Sequence, residues 1–91
     1  MREVKRFKWL RSVRKSYDEQ AMIFYTCATF GIQSAATRRR IERTCAKAAA
    51  EYSDALFEFL TTKADFRYVC TKYAIGDSTL GRIRRKFYEL W

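Results

Sequence analysis

The sequence contains no histidine and no proline, three glycines in 91 residues, and only 10 acidic residues against 19 lysines and arginines. Without histidine the chain lacks the usual general base at neutral pH and the commonest metal ligand. Its three cysteines cannot complete a four-ligand zinc site by themselves. The composition therefore predicts a protein that is not an enzyme and that uses neither a metal nor a cofactor.

The missing proline and scarce glycine also bear on the fold. At average usage a chain of this length would hold about four or five prolines, so their absence favours long helices with few turns. The apolar fraction of 48% and the aromatic fraction of 16% are typical of a folded chain rather than a disordered polycation. The longest apolar stretch, residues 21–32, is too short to span a bilayer. We expect an all-α protein, a small helical bundle that makes no membrane contact.

The cysteine pattern indicates the compartment. Cys27, Cys45 and Cys70 are odd in number and far apart in sequence, and no signal peptide is evident before them. Disulfides are rare in the reducing cytosol, whereas secreted domains of this size use paired cysteines. We expect reduced thiols in a cytoplasmic protein.

The first segment, residues 2–16, carries seven basic residues and one acidic residue. Its apolar residues recur every three or four positions, which predicts an amphipathic helix through Val4, Phe7, Leu10, Val13 and Tyr17. Such a basic helix can lie on nucleic-acid backbone or on an acidic protein, or it can be an ordinary helix with a solvated cationic face. These alternatives stay open from the sequence.

A second helix is predicted from a cap at Asp18 to Phe30, with Gly31 in the left-handed conformation that often ends a helix. This helix is apolar nearly all round. It is either the central core element or half of a dimer interface, because a domain this small can hardly bury such a helix alone. We therefore assign residues 1–33 to dimerisation or to contact with another partner, and we expect a homodimer.

A long third helix is predicted from a cap at Ser34, with a possible break near Ser53 and Asp54. Apolar residues step by four and three along it, which is typical of a heptad seam formed by Ile41, Cys45, Ala48, Tyr52, Ala55 and Phe59. Its first turns carry clustered arginines, which the helix dipole disfavours there. The candidates for phosphate binding are Arg38, Arg39 and Arg40; the alternative is ion pairing with acidic residues of the second helix or of a second chain.

The C-terminal residues suggest a helix-turn-helix. Thr62 and Asp65 have the spacing of a capping box and open a short helix. Ala74, Ile75 and Gly76 then interrupt the helical pattern, and a last helix begins around residues 77–79. Its apolar residues share one face, which consists of Leu80, Ile83, Phe87 and Leu90. Two short helices joined by a tight turn constitute a helix-turn-helix, and we assign residues 34–91 to the long helix and this DNA-binding region.

The opposite face of the last helix holds the candidate DNA contacts. An α-helix enters the major groove with its N-terminal turns against the base edges, and arginine is the usual bidentate donor to guanine. The side chains predicted to contact bases are Asp77, Ser78, Arg82 and Arg85. Those predicted to contact phosphates are Thr79, Arg84 and Lys86. Gly81 is predicted on the same face, where a missing side chain would let the helix lie deeper in the groove.

Residues 55–91 resemble the small phage and prophage late-transcription regulators of the RinA/ArpU type. The similar features follow one another as Leu56-Phe57-Glu58-Phe59, Thr61 to Lys63, Phe66, Val69-Cys70, Ile75 and Arg82-Ile83-Arg84-Arg85-Lys86. Gly76 stands where the family usually has serine or threonine. The resemblance implies binding to duplex DNA at a phage promoter, activation of late genes, contact with RNA polymerase, and a location in the cytoplasm of a bacterial host.

The sequence as a whole predicts a non-enzymatic, sequence-specific regulator of transcription that binds double-stranded DNA, and most specifically a phage or prophage late-gene activator. Two other classes share these features. A small terminase-like packaging subunit also joins a helix-turn-helix to an oligomerising helical region. A small basic inhibitor could instead use its cationic helices against an acidic protein or nucleoprotein.

Overall fold

The computed structural model describes residues 7–91. Within this range the chain forms five α-helices and two short 3-10 helices, with no strand. The α-helices are α1 (Tyr17–Ala28), α2 (Ala35–Ala49), α3 (Ser53–Thr61), α4 (Phe66–Tyr73) and α5 (Asp77–Leu90), and the 3-10 helices are Phe30–Ile32 and Ala50–Tyr52. The predicted all-α class is confirmed.

One hydrophobic core includes residues from both predicted regions of the chain. Residues 7–33 contribute Leu10, Val13, Ile23 and Cys27, and the rest comes mainly from Ile41, Cys45, Leu56, Phe59, Val69, Leu80, Ile83 and Phe87. The long helix α5 packs against α2 and α4, and α3 packs against α1 and α2. The N-terminal residues are therefore part of the same packed unit as the C-terminal helices.

The segment before α1 is not a helix in residues 7–16, so that prediction is wrong there; residues 1–6 lie outside the described part of the chain. The reason is tertiary. Leu10 and Val13 are buried in the core, and the side chain of Gln20 binds the backbone of the segment in place of helical partners. Repulsion among closely spaced cations also disfavours a helix here.

The start of α1 differs from the prediction by two residues. Ser16, rather than Asp18, is the N-cap, and it forms a capping box with Glu19. The Ser16 hydroxyl accepts from the Glu19 amide at 3.2 Å, and the Glu19 carboxylate accepts from the Ser16 amide at 3.0 Å. The helix ends at Ala28 instead of Phe30, and Gly31 does not adopt positive φ because a 3-10 helix follows.

The predicted long third helix is two helices, and the second begins at Ser53, where the sequence allowed a break. Ser34 caps α2 as predicted, by accepting from the Thr37 amide at 3.2 Å. The helix then breaks at Ala50, whose φ of 48° is left-handed, and α3 folds back to pack on α2. The heptad seam is thus buried within one chain: Ile41 and Ala55 face the same core. Because α2 and α3 pack on each other as a hairpin, the apolar seam is covered without a second chain.

The helices α4 and α5 and the three-residue connection between them follow the prediction closely. Asp65 caps α4 by accepting from the Tyr68 amide at 2.7 Å, whereas Thr62 closes α3 instead of opening α4. Ala74 adopts the left-handed conformation with φ 52° and ψ 44°, and Gly76 is extended. Ile75 is buried beneath the turn. The turn therefore places its one left-handed residue at an alanine.

Candidate nucleic-acid interface

The helix α5 has two different faces. Leu80, Ile83 and Phe87 are almost fully buried, as the sequence predicts. Leu90, predicted on the same stripe, is 47% exposed, because the helix extends past the core at its end. The opposite face carries an exposed row at four-residue and three-residue spacing, made of Ser78, Arg82, Lys86 and Glu89. The core thus fixes α5 in place while this row faces solvent.

The first turn of α5 carries three of the predicted DNA contacts. Asp77 and Ser78 are exposed and Thr79 is half-buried. Burial, and then a hydrogen bond with the Asp77 carboxylate, raise the pKa of Cys70 on α4. The Asp77 side chain therefore contacts α4 as well as solvent. Of these three residues Ser78 is the one on the exposed row of α5.

Arg84 lies on the inner flank of α5, away from the exposed row. Its guanidinium carbon is 5.6 Å from the ring centre of Phe59 and 5.3 Å from that of Phe66. The buried Nε has no hydrogen-bond partner among the described residues. Burial lowers the pKa of Arg84. The geometry assigns this arginine to the joint between α3, α4 and α5, so its predicted role as an exposed phosphate ligand does not fit its position.

Arg85 is half-exposed and covers Gly81. A Cβ atom on Gly81 would lie 3.6 Å from Nη1 of Arg85. Gly81 is buried, so the predicted role of its missing side chain in a deeper groove contact does not hold. The exposed cations of α5 are therefore Arg82 and Lys86, with Arg85 beside them.

The three arginines at the start of α2 are in different environments. Arg38 is half-buried and donates to the carbonyl of Gln33 at 2.9 Å, so it closes the loop before its own helix. Arg39 is exposed. The guanidinium carbon of Arg40 lies 4.0 Å from the centre of the Trp91 ring, and the guanidinium donates a hydrogen bond to the Trp91 carbonyl. Arg40 is thereby placed at the C-terminal end of α5.

The exposed cations of α5 and α2 have no ion-pair partner in residues 7–91. The ion pair found in residues 7–91 joins Lys72 to Glu58 at 2.8 Å, on the α3 and α4 side of the molecule. Hydrogen bonds from Lys72 and Tyr73 lower the pKa of Glu58. The sequence left open that the arginines of α2 pair with acidic residues of the predicted second helix, which is α1. No such ion pair is present in residues 7–91. Arg82 and Lys86 of α5 and Arg39 of α2 are therefore available to a partner.

Sequence reasoning missed the end of α5 as a meeting point of distant residues. The backbone amide of Arg14 donates to both oxygens of Glu89 at 3.3 Å, and Arg40 stacks on Trp91. Both contacts join residues more than fifty positions apart, which helical periodicity does not reveal. The Ser16 and Glu19 capping box was a usable signal, because it marks where α1 begins and the preceding segment ends.

The three cysteines lie inside the fold. Cys27, Cys45 and Cys70 are free and buried. Burial raises the pKa of Cys27 strongly and that of Cys45 to about 12, so both are uncharged thiols at neutral pH. In residues 7–91 no three cysteine, aspartate or glutamate side chains are arranged to hold a metal ion.

Within the described part, no helix combines the length and apolar character needed to cross a bilayer. The chain matches no protein-family model, no curated protein and no solved structure.

Proposed function

We propose that this protein binds double-stranded DNA sequence-specifically and regulates transcription, with α4, the turn and α5 acting as a helix-turn-helix. The observation that carries the proposal is the division of α5 into a buried apolar face and an exposed face with Ser78, Arg82 and Lys86. A recognition helix must have both, because the scaffold has to hold it rigidly while its outer side chains enter the major groove.

The exposed row suits the division of labour in a DNA interface. Ser78 lies in the first turn of α5 and Arg82 one turn further on, where a recognition helix contacts base edges. Arg82 would donate two hydrogen bonds to guanine, the commonest specific contact. Lys86, a turn beyond, would contact phosphate, and Arg85 would lie beside the groove. Phosphate contacts supply affinity and register, whereas base contacts supply specificity.

The resemblance of residues 55–91 to the RinA/ArpU-type regulators supports a narrower proposal. On that basis the protein activates late genes of a phage or prophage in the cytoplasm of a bacterial host, through contact with RNA polymerase. The narrower proposal therefore depends on the resemblance, and DNA binding depends on α5.

A homodimer is proposed through the outer face of α1. Met22 is 70% exposed, and Tyr17 and Tyr25 are also exposed, although the helix has its inner face in the core. A second copy packed there would give two recognition helices, as dimeric regulators use for paired half-sites. The same exposed face favours a second candidate, a terminase-like packaging subunit that assembles into a ring. The particle mass in solution distinguishes a dimer from a ring.

The test of DNA binding compares two variants at one exposed position with one control at another. Arg82→Ala should weaken binding to a selected duplex by about 1–3 kcal/mol, because a bidentate base contact is lost, and should relax the sequence preference. Arg82→Lys should keep nonspecific affinity and lose most of that preference, because lysine lacks the planar fork of arginine. Lys63→Ala, which removes one exposed charge between α3 and α4, is the control.

Titration of each variant against selected and random duplexes gives the answer. An equal loss for Arg82→Ala on every duplex would reassign Arg82 to a phosphate contact. Unchanged affinity on both would contradict the proposed role of α5. A wild-type protein that binds neither duplex would refute the proposed function and favour the inhibitor class instead.

A further inference from the structure

Besides the burial of Leu10 and Val13, one buried side chain of α1 binds the backbone of residues 10–15. Gln20 is fully buried. Its Oε1 accepts from the amide of Leu10 at 2.8 Å, and its Nε2 donates to the carbonyls of Leu10 and Lys15, each at 3.0 Å. These three bonds join the Gln20 side chain to the backbone at both ends of residues 10–15, and we call this contact the bracket. The segment therefore has a defined position although it is not a helix.

The bracket holds the segment against the second half of α5. Lys8 and Leu10 line a cavity of about 50 Å³ together with Arg84 and Tyr88. Further along, the amide of Arg14 binds Glu89 of the exposed row. Lys15 lines a groove of about 220 Å³ with Trp91. Residues 8–15 thus lie alongside α5, from the level of Arg84 to that of Trp91.

This placement joins two basic surfaces that are far apart in sequence. Lys8, Arg11 and Arg14 are exposed, and none of them has an ion-pair partner in residues 7–91. Arg14 is next to Glu89, which lies about 10 Å along α5 from Arg82 at 1.5 Å per residue. The Arg14 backbone therefore lies beside the exposed row of α5 beyond Lys86, and the exposed Arg11 lies three residues before it in the same segment.

We propose that residues 8–15 form a fixed backbone-binding element of the DNA interface, in which Arg11 and Arg14 bind phosphates beside the C-terminal half of α5 and Gln20 positions them. The inference rests on the proposed function. When the first turns of α5 contact base edges, its later turns lie toward the phosphates at the edge of the groove. The negative end of the helix dipole and Glu89 would repel phosphate there, and the neighbouring arginines offset that repulsion.

The same cations could bind an acidic protein, but continuity with the exposed row of α5 favours DNA. Arginines on a fixed segment at the end of a recognition helix meet the backbone of the duplex that the helix contacts. Their contacts would be independent of base sequence, since they lie away from Ser78 and Arg82. The element should therefore add affinity and salt dependence without adding sequence preference.

The test uses the double variant Arg11→Ala with Arg14→Ala. Both side chains are exposed, and the Arg14 bond to Glu89 uses the backbone, so the fold should be retained. Affinity is measured for random and selected duplexes over a range of salt. Loss of two phosphate contacts should reduce the slope of log affinity against log salt by about 1.8, equally for both duplexes. Lys47→Ala with Lys63→Ala, which removes two exposed charges elsewhere, is the matched control.

The outcomes separate this inference from the proposed function. An unchanged slope in a protein whose binding still depends on Arg82 would overturn the inference, leave the proposed function standing, and assign the segment to a protein partner. A slope reduced equally by the control would also overturn it, because net charge alone would then explain the effect. If the wild-type protein binds no duplex, both fail together.

Gln20→Leu tests the positioning role. The amides of Leu10 and Arg14 should exchange their hydrogens faster, and the salt slope should fall while the preference for the selected duplex is kept. Faster exchange with an unchanged slope would show that the bracket does not position the phosphate-binding residues, and would overturn that part. If the variant does not fold, the double arginine variant still decides whether the segment binds DNA.

Discussion

The helix pair α4 and α5 and the N-terminal residues 7–33 obey different rules. In the pair, the interruption at residues 74–76, the start of α5 and its buried stripe lie where the local pattern predicts them. In residues 7–33, one predicted helix is absent from residues 7–16, and the next begins at another cap. Both regions contribute to the same core.

The difference lies in where the backbone finds its hydrogen bonds. In α4 and α5 nearly all partners are local, at helical spacing, so periodicity is a sufficient signal. In residues 10–15 the partners are mainly the side chains of Gln20 and Glu89, beside one local bond from the Val13 amide to the Leu10 carbonyl. Helical propensity is weak enough for such contacts and the burial of Leu10 to override it. A glutamine within an apolar helix is easily taken for a neutral position.

The largest expected effect breaks the C-terminal pair at its core. Leu80 is fully buried in α5, whereas Leu90 on the same predicted stripe is exposed. Leu80→Ala should lower the free energy of unfolding by about 3 kcal/mol, and Leu90→Ala by less than about 0.5 kcal/mol. Chemical denaturation of the two variants measures both. Equal losses would mean that the end of α5 is packed in solution.

A smaller effect tests the turn between α4 and α5. Ala74 has φ 52°, a conformation that glycine adopts without steric cost. Ala74→Gly should raise the free energy of unfolding by about 1 kcal/mol. The same substitution at Ala46, an exposed position within α2, should lower it by about 1 kcal/mol. Thermal unfolding should therefore shift in opposite directions, and a fall at both positions would rule out the left-handed turn at Ala74.

The smallest effect compares the two candidate caps of α1. Ser16→Ala removes the capping box with Glu19 and should cost about 1 kcal/mol. Asp18→Ala loses only a favourable charge in the first turn, worth about 0.3 kcal/mol. Denaturation curves of the two variants give the order. A larger cost at Asp18 would restore the boundary that the sequence first suggested.

The candidate site was predictable to different degrees along α5. Ser78, Arg82 and Lys86 follow from periodicity, because positions opposite a buried stripe must face solvent. The position of Arg84 does not follow from periodicity. It lies near the rings of Phe59 and Phe66, and this depends on how α3 and α4 pack on α5. Arg40 was predicted as a phosphate ligand, but its contact with Trp91 joins α2 to the end of α5. Packing between distant helices is the information that one sequence lacks.

The break in the predicted third helix has a similar cause. Ala48, Ala49 and Ala50 have strong helical propensity. The local signal for a break is the pair Ser53 and Asp54, and α3 begins there, three residues after the turn at Ala50. The chain turns there because α3 can then bury Leu56 and Phe59 against α2 within one molecule. The heptad spacing was a correct indication of burial and an incorrect indication of one continuous helix.

Selection from random duplex DNA with the wild-type protein, repeated with Arg82→Ala, tests the central proposal most directly. We predict that the wild-type protein recovers a defined motif and that the variant loses preference at one position of it, in each half-site if the protein is a dimer, while the other positions are kept. Recovery of no motif by the wild-type protein, or of the same motif by both proteins, would contradict the assignment of α5 as the helix that determines sequence specificity.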